Sequence, residues 1–286
     1  MLCKPYSSSA IVVAAILWFS GTAAADVELV NTGLPDGKLG ALSTPANGSQ
    51  FETEAADDFT LNSPANITGG MFYGLIPAAA TVSDISQVVV EIYRVFPNDS
   101  DTVRTPDVPT RTNSPSDVAF DSADSVLNSL TFTATSLGAF AVANSVVNGI
   151  NPKPTQTTGG EGAVSGQEVA FDFELTTPFM LPAGHYFFVP QVVVPGDFLW
   201  LSVPRPIVEP GTPFLSDLQA WIRNENLAPD WLRIGTDVVG PPRTGGPAPT
   251  FNMAFALDGV VTPEPTALPV VLGILAIVAW KRSRFS

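Results

Sequence analysis

One histidine, His185, serves the whole chain of 286 residues. A Ser-His-Asp relay would have to use it as the base, and a zinc centre built from several histidines is excluded. It follows a turn glycine, Gly184, and precedes Tyr186, Phe187 and Phe188, a setting that suits an outward-facing strand residue. Neither a G-x-S-x-G elbow nor an H-E-x-x-H pair occurs. The adjacent carboxylates Asp57 and Asp58 fall on a strand-like segment, which sends them to opposite faces. By itself that arrangement does not make a two-acid glycosidase. Asp99, Asp101 and Asp107 could offer oxygens to calcium, which takes about six to eight. Their spacing lacks the EF-hand pattern and its glycine, and a solvated acidic loop is the favoured reading.

Aromatic residues give the best binding hypothesis. Trp200 lies in a strand-like segment, and Trp221 and Trp231 flank the polar stretch 223–230. Three exposed indoles in a row would form an apolar platform for sugar rings. The competing reading is core packing, because Trp221 sits with Leu218 and Ile222, and Trp231 with Leu232 and Ile234.

The elements that would carry these residues are short strands. With 23 glycines and 27 prolines spread along the body, no long amphipathic helical pattern develops. Residues 85–96 alternate most clearly, with Val88, Val90 and Ile92 on one side and Val89, Glu91, Tyr93 and Val95 on the other. Residues 50–61, 129–135, 140–147 and 168–175 look similar. Residues 185–194 and 198–203 read as a hairpin across Pro195-Gly196-Asp197, and 251–257 as a closing strand. The one helix candidate is 216–224, where Leu218, Trp221 and Ile222 would share a face. Residues 97–116 and 151–166 read as long connections.

The formal charge is −14. Setting aside Lys4, then Glu264, Lys281, Arg282 and Arg284, leaves about −17 on the body between the two ends. Such a surface is a poor ligand for nucleic acid, so no nucleic-acid partner is expected. Cys3 is the only cysteine, and it lies near the start. The body therefore has no disulfide, no cysteine-rich zinc site and no thiol nucleophile.

Both ends read as targeting segments. Lys4 is a minimal positive region, residues 10–19 are apolar, and Ala23 and Ala25 frame an A-x-A cleavage by signal peptidase, which would leave Asp26 first. At the other end Pro263-Glu264-Pro265 precedes the uncharged run 267–280, and Lys281, Arg282 and Arg284 follow. As a helix those fourteen residues would measure roughly 21 Å, short of the ~30 Å hydrocarbon core. The basic cluster sets cytoplasmic orientation for the C-terminus. This tail resembles the PEP-CTERM sorting signal that certain Gram-negative bacteria attach to exported proteins. The resemblance implies recognition by exosortase, a membrane protease-transpeptidase. It also implies passage through the inner membrane as a precursor, then delivery to the cell surface or an exopolysaccharide matrix.

Within the body, Ala56-Asp57-Asp58-Phe59-Thr60-Leu61 and Leu181-Pro182-Ala183-Gly184-His185-Tyr186 resemble the "ADDF" strand and the L-x-A-G-x-Y turn of certain secreted bacterial β-sandwich modules. These readings combine into an expected organisation: signal peptide 1–25, an all-β antiparallel sandwich over 26–261 (a jelly roll being one form of it), and a hydrophobic sorting helix over 262–286. The expected role is structural or interaction-based, with no enzyme activity and no cofactor. A carbohydrate-binding module using Trp200, Trp221 and Trp231 is the alternative, and a secreted hydrolase the third.

Overall fold

The computed structural model describes residues 25–48, 50–150, 157–204 and 218–262. Most of the predicted signal segment, including Ala23, and the tail with Pro263, Glu264, Pro265, Lys281, Arg282 and Arg284 lie outside the described residues. Among the described residues no helix is long and apolar enough to cross a membrane.

Among the described residues, alternating apolar segments separated by Gly, Pro, Asn and Asp form fifteen strands. They are β1 (Val27–Asn31), β2 (Leu39–Leu42), β3 (Thr53–Leu61), β4 (Ala65–Pro77), β5 (Gln87–Val95), β6 (Pro115–Asp124), β7 (Leu130–Val142) and β8 (Asn144–Val146). The rest are β9 (Val164–Leu181), β10 (Gly184–Val193), β11 (Leu199–Val203), β12 (Trp221–Asn224), β13 (Leu232–Arg233), β14 (Asn252–Met253) and β15 (Phe255–Val261). They pack as two facing sheets, an all-β sandwich. One sheet runs β13-β12-β3-β10-β5-β6. In the other, β1-β15-β4-β9-β7 is one continuous series. The long strand β4 also meets β11, from which β2 and β8 extend and beside which β14 pairs. The β2–β8 pair is parallel; every other pairing of described strands is antiparallel.

Aromatic rings fill the space between the sheets. Phe72 of β4 stacks on Phe171 of β9 with centroids 4.7 Å apart. Phe188 of β10 reaches across to Phe255 of β15 at 5.1 Å and to Trp200 of β11 at 5.9 Å, edge to face. Pairs of this kind add about 0.5–1.5 kcal/mol beyond their burial. Trp200 is fully buried, and its indole N–H donates to the Ala254 carbonyl at 2.9 Å.

Two local expectations are corrected. Residues 221–224 form β12 instead of part of a helix: Trp221 pairs with Ala56 and Ile222 with Ala55 of β3. Trp221 therefore faces outward and Ile222 inward, and the two do not share a face. Nor do β10 and β11 form a hairpin. β10 belongs to the six-stranded sheet, whereas Leu199 and Trp200 of β11 pair with Leu42 and Ala41 of β2. Pro195-Gly196-Asp197 carries the chain between sheets, with Gly196 at φ 91°, a value a side chain would resist.

Candidate functional site

Because β3 alternates, Ala55, Phe59 and Leu61 enter the core while Glu54, Ala56 and Asp58 face outward. The neighbouring strands bring Arg223 opposite Glu54 and Tyr93 opposite Phe187 on the same outer face. This face is not open to solvent. Ala56, Tyr93, Phe187, Val189, Leu218, Trp221 and Trp231 form a second apolar cluster over it.

A charged group lies inside that cover. Arg223 holds Glu54 in a two-pronged contact, with Nε on Oε2 and Nη2 on Oε1 at 2.9 Å. Tyr93 donates its hydroxyl to Glu54 Oε1 at 2.6 Å and accepts from Arg223 Nη2 at 2.8 Å. The guanidinium also lies 4.2 Å over the Trp231 ring, a cation–π contact. Burial, reinforced by the negative charge of Glu54, raises the Glu91 carboxyl to about 8. The Tyr93 hydroxyl is pushed far up by burial and by Glu54. Burial acts to lower the pKa of Arg223, but Glu54 outweighs it and the guanidinium is held more firmly charged.

The 97–116 connection closes over the sheet through a second charged network. Arg104 makes two 2.9 Å bonds to the carboxylate of Asp230, which also accepts the Asp107 N–H at 3.0 Å. Arg111 contacts Asp117, lies 3.4 Å from Asp230 and donates to the Asp101 carbonyl at 2.8 Å. Its guanidinium also sits 4.5 Å over Phe96.

These arrangements separate the sequence-predicted residues. The tryptophans take the packing role favoured for them and do not form a sugar platform. Trp200 lies between the sheets, while Trp221 and Trp231 lie in the covered outer cluster, and none of the three exceeds 2% exposure. Each indole is used for packing, and Trp231 also donates to the Ser116 carbonyl at 3.2 Å. His185 is half-buried with Nε2 2.5 Å from Asp58 Oδ2. No hydroxyl among the described residues hydrogen-bonds its other nitrogen, so a relay to a nucleophile is not assembled. Asp57 points the other way, into the sandwich, and accepts the Met253 N–H at 2.7 Å.

Asp99, Asp101 and Asp107 do not converge. Asp99 lies 3.2 Å from Arg94, the Asp101 side chain accepts the Val103 N–H, and the Asp107 backbone serves Asp230. Among the described residues no group of three acids or histidines is placed to hold a metal ion.

The Glu54–Tyr93–Glu91–Arg223 group was not anticipated. Alternation in β3 could have placed Glu54 outward, but its partner Arg223 comes from a strand 169 positions away. A carboxyl pair with one raised pKa is the raw material of acid–base catalysis. Glycoside hydrolysis, however, needs its two acids about 5–9 Å apart across an open cleft. Here Glu54 and Glu91 interact directly and share the Tyr93 hydroxyl, while Arg223, which holds Glu54, lies against the Trp231 ring. The group is built as an internal staple. No family model matches the chain, and no curated protein or solved structure matches it either.

Proposed function

We propose that the chain is exported and sorted to the cell surface or an extracellular polysaccharide matrix, where the sandwich has a structural or interaction role and performs no catalysis. Signal peptidase and exosortase are its processing partners in this reading, and the inner membrane holds the precursor through the tail.

The supporting observation is where the folded body begins and ends relative to the sequence signals. β1 starts at Val27, one residue after the predicted new N-terminus Asp26. β15 ends at Val261, and Thr262 ties off the sheet with N–H and hydroxyl bonds to the Pro64 carbonyl at 2.9 and 3.0 Å. Pro263-Glu264-Pro265 follows at once in the sequence. A cut on either side of the body would thus spare every described strand.

The test compares the mass and cell fraction of wild type and Glu264→Ala in the native host. Sorting predicts a shortened wild-type product outside the inner membrane and a longer, membrane-retained Glu264→Ala precursor. Wild-type protein that keeps its C-terminus in the membrane would make the segment a permanent anchor and overturn the reading.

A further inference from the structure

Sheet edges expose unpaired N–H and C=O groups, and proteins usually blunt them with short strands, charge or proline. Four described edge strands follow that rule. β1, β8 and β13 have five, three and two residues. β6 carries Pro115, Asp117, Asp121 and Asp124. β7 does not follow it. It is thirteen residues long, pairs only with β9 among the described residues, and contains neither charge nor proline. No charged residue occurs anywhere from Ser125 through Ile150, in a chain with 27 acidic and 13 basic side chains. Its one edge device is the irregularity between Ser136 and Gly138, where Gly138 takes φ 109°. Among the described residues that leaves 130–136 as a straight unpaired edge of about 23 Å.

The sequence of this edge is self-complementary. Laid antiparallel on a copy of itself about Thr133, it sets Thr131 opposite Thr135, Thr133 opposite Thr133, and Phe132 opposite Ala134. Threonine pairs and large-against-small pairs both stabilise cross-strand contacts. Thr131, Thr133 and Thr135 are exposed, while Phe132 and Ala134 are half-buried and already packed on the core. A second copy would continue that core. Asp172 and Glu174, opposite Thr133 and Thr131 on β9, would stay three strand spacings from their counterparts. That is ~14 Å, beyond the ~8 Å screening length at physiological salt.

We propose that β7 is a homodimerisation edge, at which two copies pair residues 130–136 antiparallel about a twofold axis at Thr133 and join their larger sheets. The interface is isologous and closes after one contact, so it yields dimers and not fibres. The proposal does not depend on export.

The test is sedimentation of the full-length chain in a mild nonionic detergent over roughly 1–100 μM, the range in which a modest interface responds. The wild type should reach dimer mass. Thr133→Lys, which sets two ammonium groups face to face, should weaken the dimer roughly tenfold or more with an unchanged circular dichroism spectrum. Thr112→Lys, on the 97–116 connection, should leave it intact. A wild type that stays monomeric at the highest concentration overturns the proposal, as does a dimer indifferent to Thr133→Lys. If that variant disturbs the fold, Thr133→Cys in a Cys3→Ser background decides: oxidation should give a disulfide-linked dimer, and its absence refutes the axis.

Discussion

Tyr93 and Glu54, on strands separated by β10, meet through a 2.6 Å hydrogen bond beneath the ring of Trp231. The contact makes the outer face of the smaller sheet a second interior, with its own apolar cover and its own ion pair. Several measurable consequences follow from its chemistry.

Removing Arg223 should be among the most damaging changes in the chain. Arg223→Met leaves Glu54 buried at 3% exposure with no counter-charge, a loss worth about 3–5 kcal/mol. Adding Glu54→Gln to the same chain should restore part of that stability. Urea midpoints of the single and double variants measure both effects. Equal midpoints for wild type and Arg223→Met would show that the pair contributes nothing.

Stability should fall as pH rises across the range set by Glu91. In the folded state its carboxyl sits at about 8, against 4.5 when it is solvated in the unfolded chain. Between those values the folded protein binds more protons than the unfolded one, so raising pH favours unfolding. The contribution is complete below 4.5 and lost by about pH 8. Glu91→Gln should flatten the slope of the urea midpoint between pH 5 and pH 8, while the wild type declines.

Asp230 should control access to the 97–116 connection. It holds Arg104 with two bonds, the Asp107 N–H with a third, and lies near Arg111. Asp230→Ala should cost about 1.5–3 kcal/mol for the lost charge-assisted bonds. It should also expose Arg104 and Arg111 to trypsin. Limited digestion should cut the variant within this connection well before the wild type.

Gly74 should resist enlargement although it lies within a strand. A Cβ there would overlap the ring of Phe198, which is fully buried. Gly74→Ala should lower stability by about 1–3 kcal/mol through overpacking, despite the better strand propensity of alanine. Thermal melting checks it, and an unchanged midpoint would mean that Phe198 has room to move.

Local pattern carried the strands that stand on their own alternation. β5 lies within the segment 85–96, and Asp57 and Asp58 do diverge to opposite faces. It failed where a distant partner decides. Leu218, Trp221 and Ile222 satisfy a helical spacing, yet pairing with Ala55 and Ala56 draws 221–224 into a sheet. Pro195-Gly196-Asp197 has hairpin chemistry, yet β11 finds Leu42 and Ala41 in the opposite sheet. Arg223 and Glu54 look like solvated charges one at a time. Their burial follows only from bringing together β3, β5 and β12 under Trp231. The tryptophans are the opposite case, since the apolar neighbours Leu218, Ile222, Leu232 and Ile234 already favour packing over a binding face.

The last described strand does not lie at a margin. β15 sits between β1 and β4, with Val27 opposite Gly259 on one side and Asn66 opposite Val260 on the other. On a ribosome the first strand therefore emerges long before its neighbour exists, and β4 waits with one flank bare. Contacts so far apart in the chain close slowly, because the intervening segment must be brought round first. A nascent chain lacking β15 is missing an interior plank, so folding of the larger sheet waits for residues 255–261.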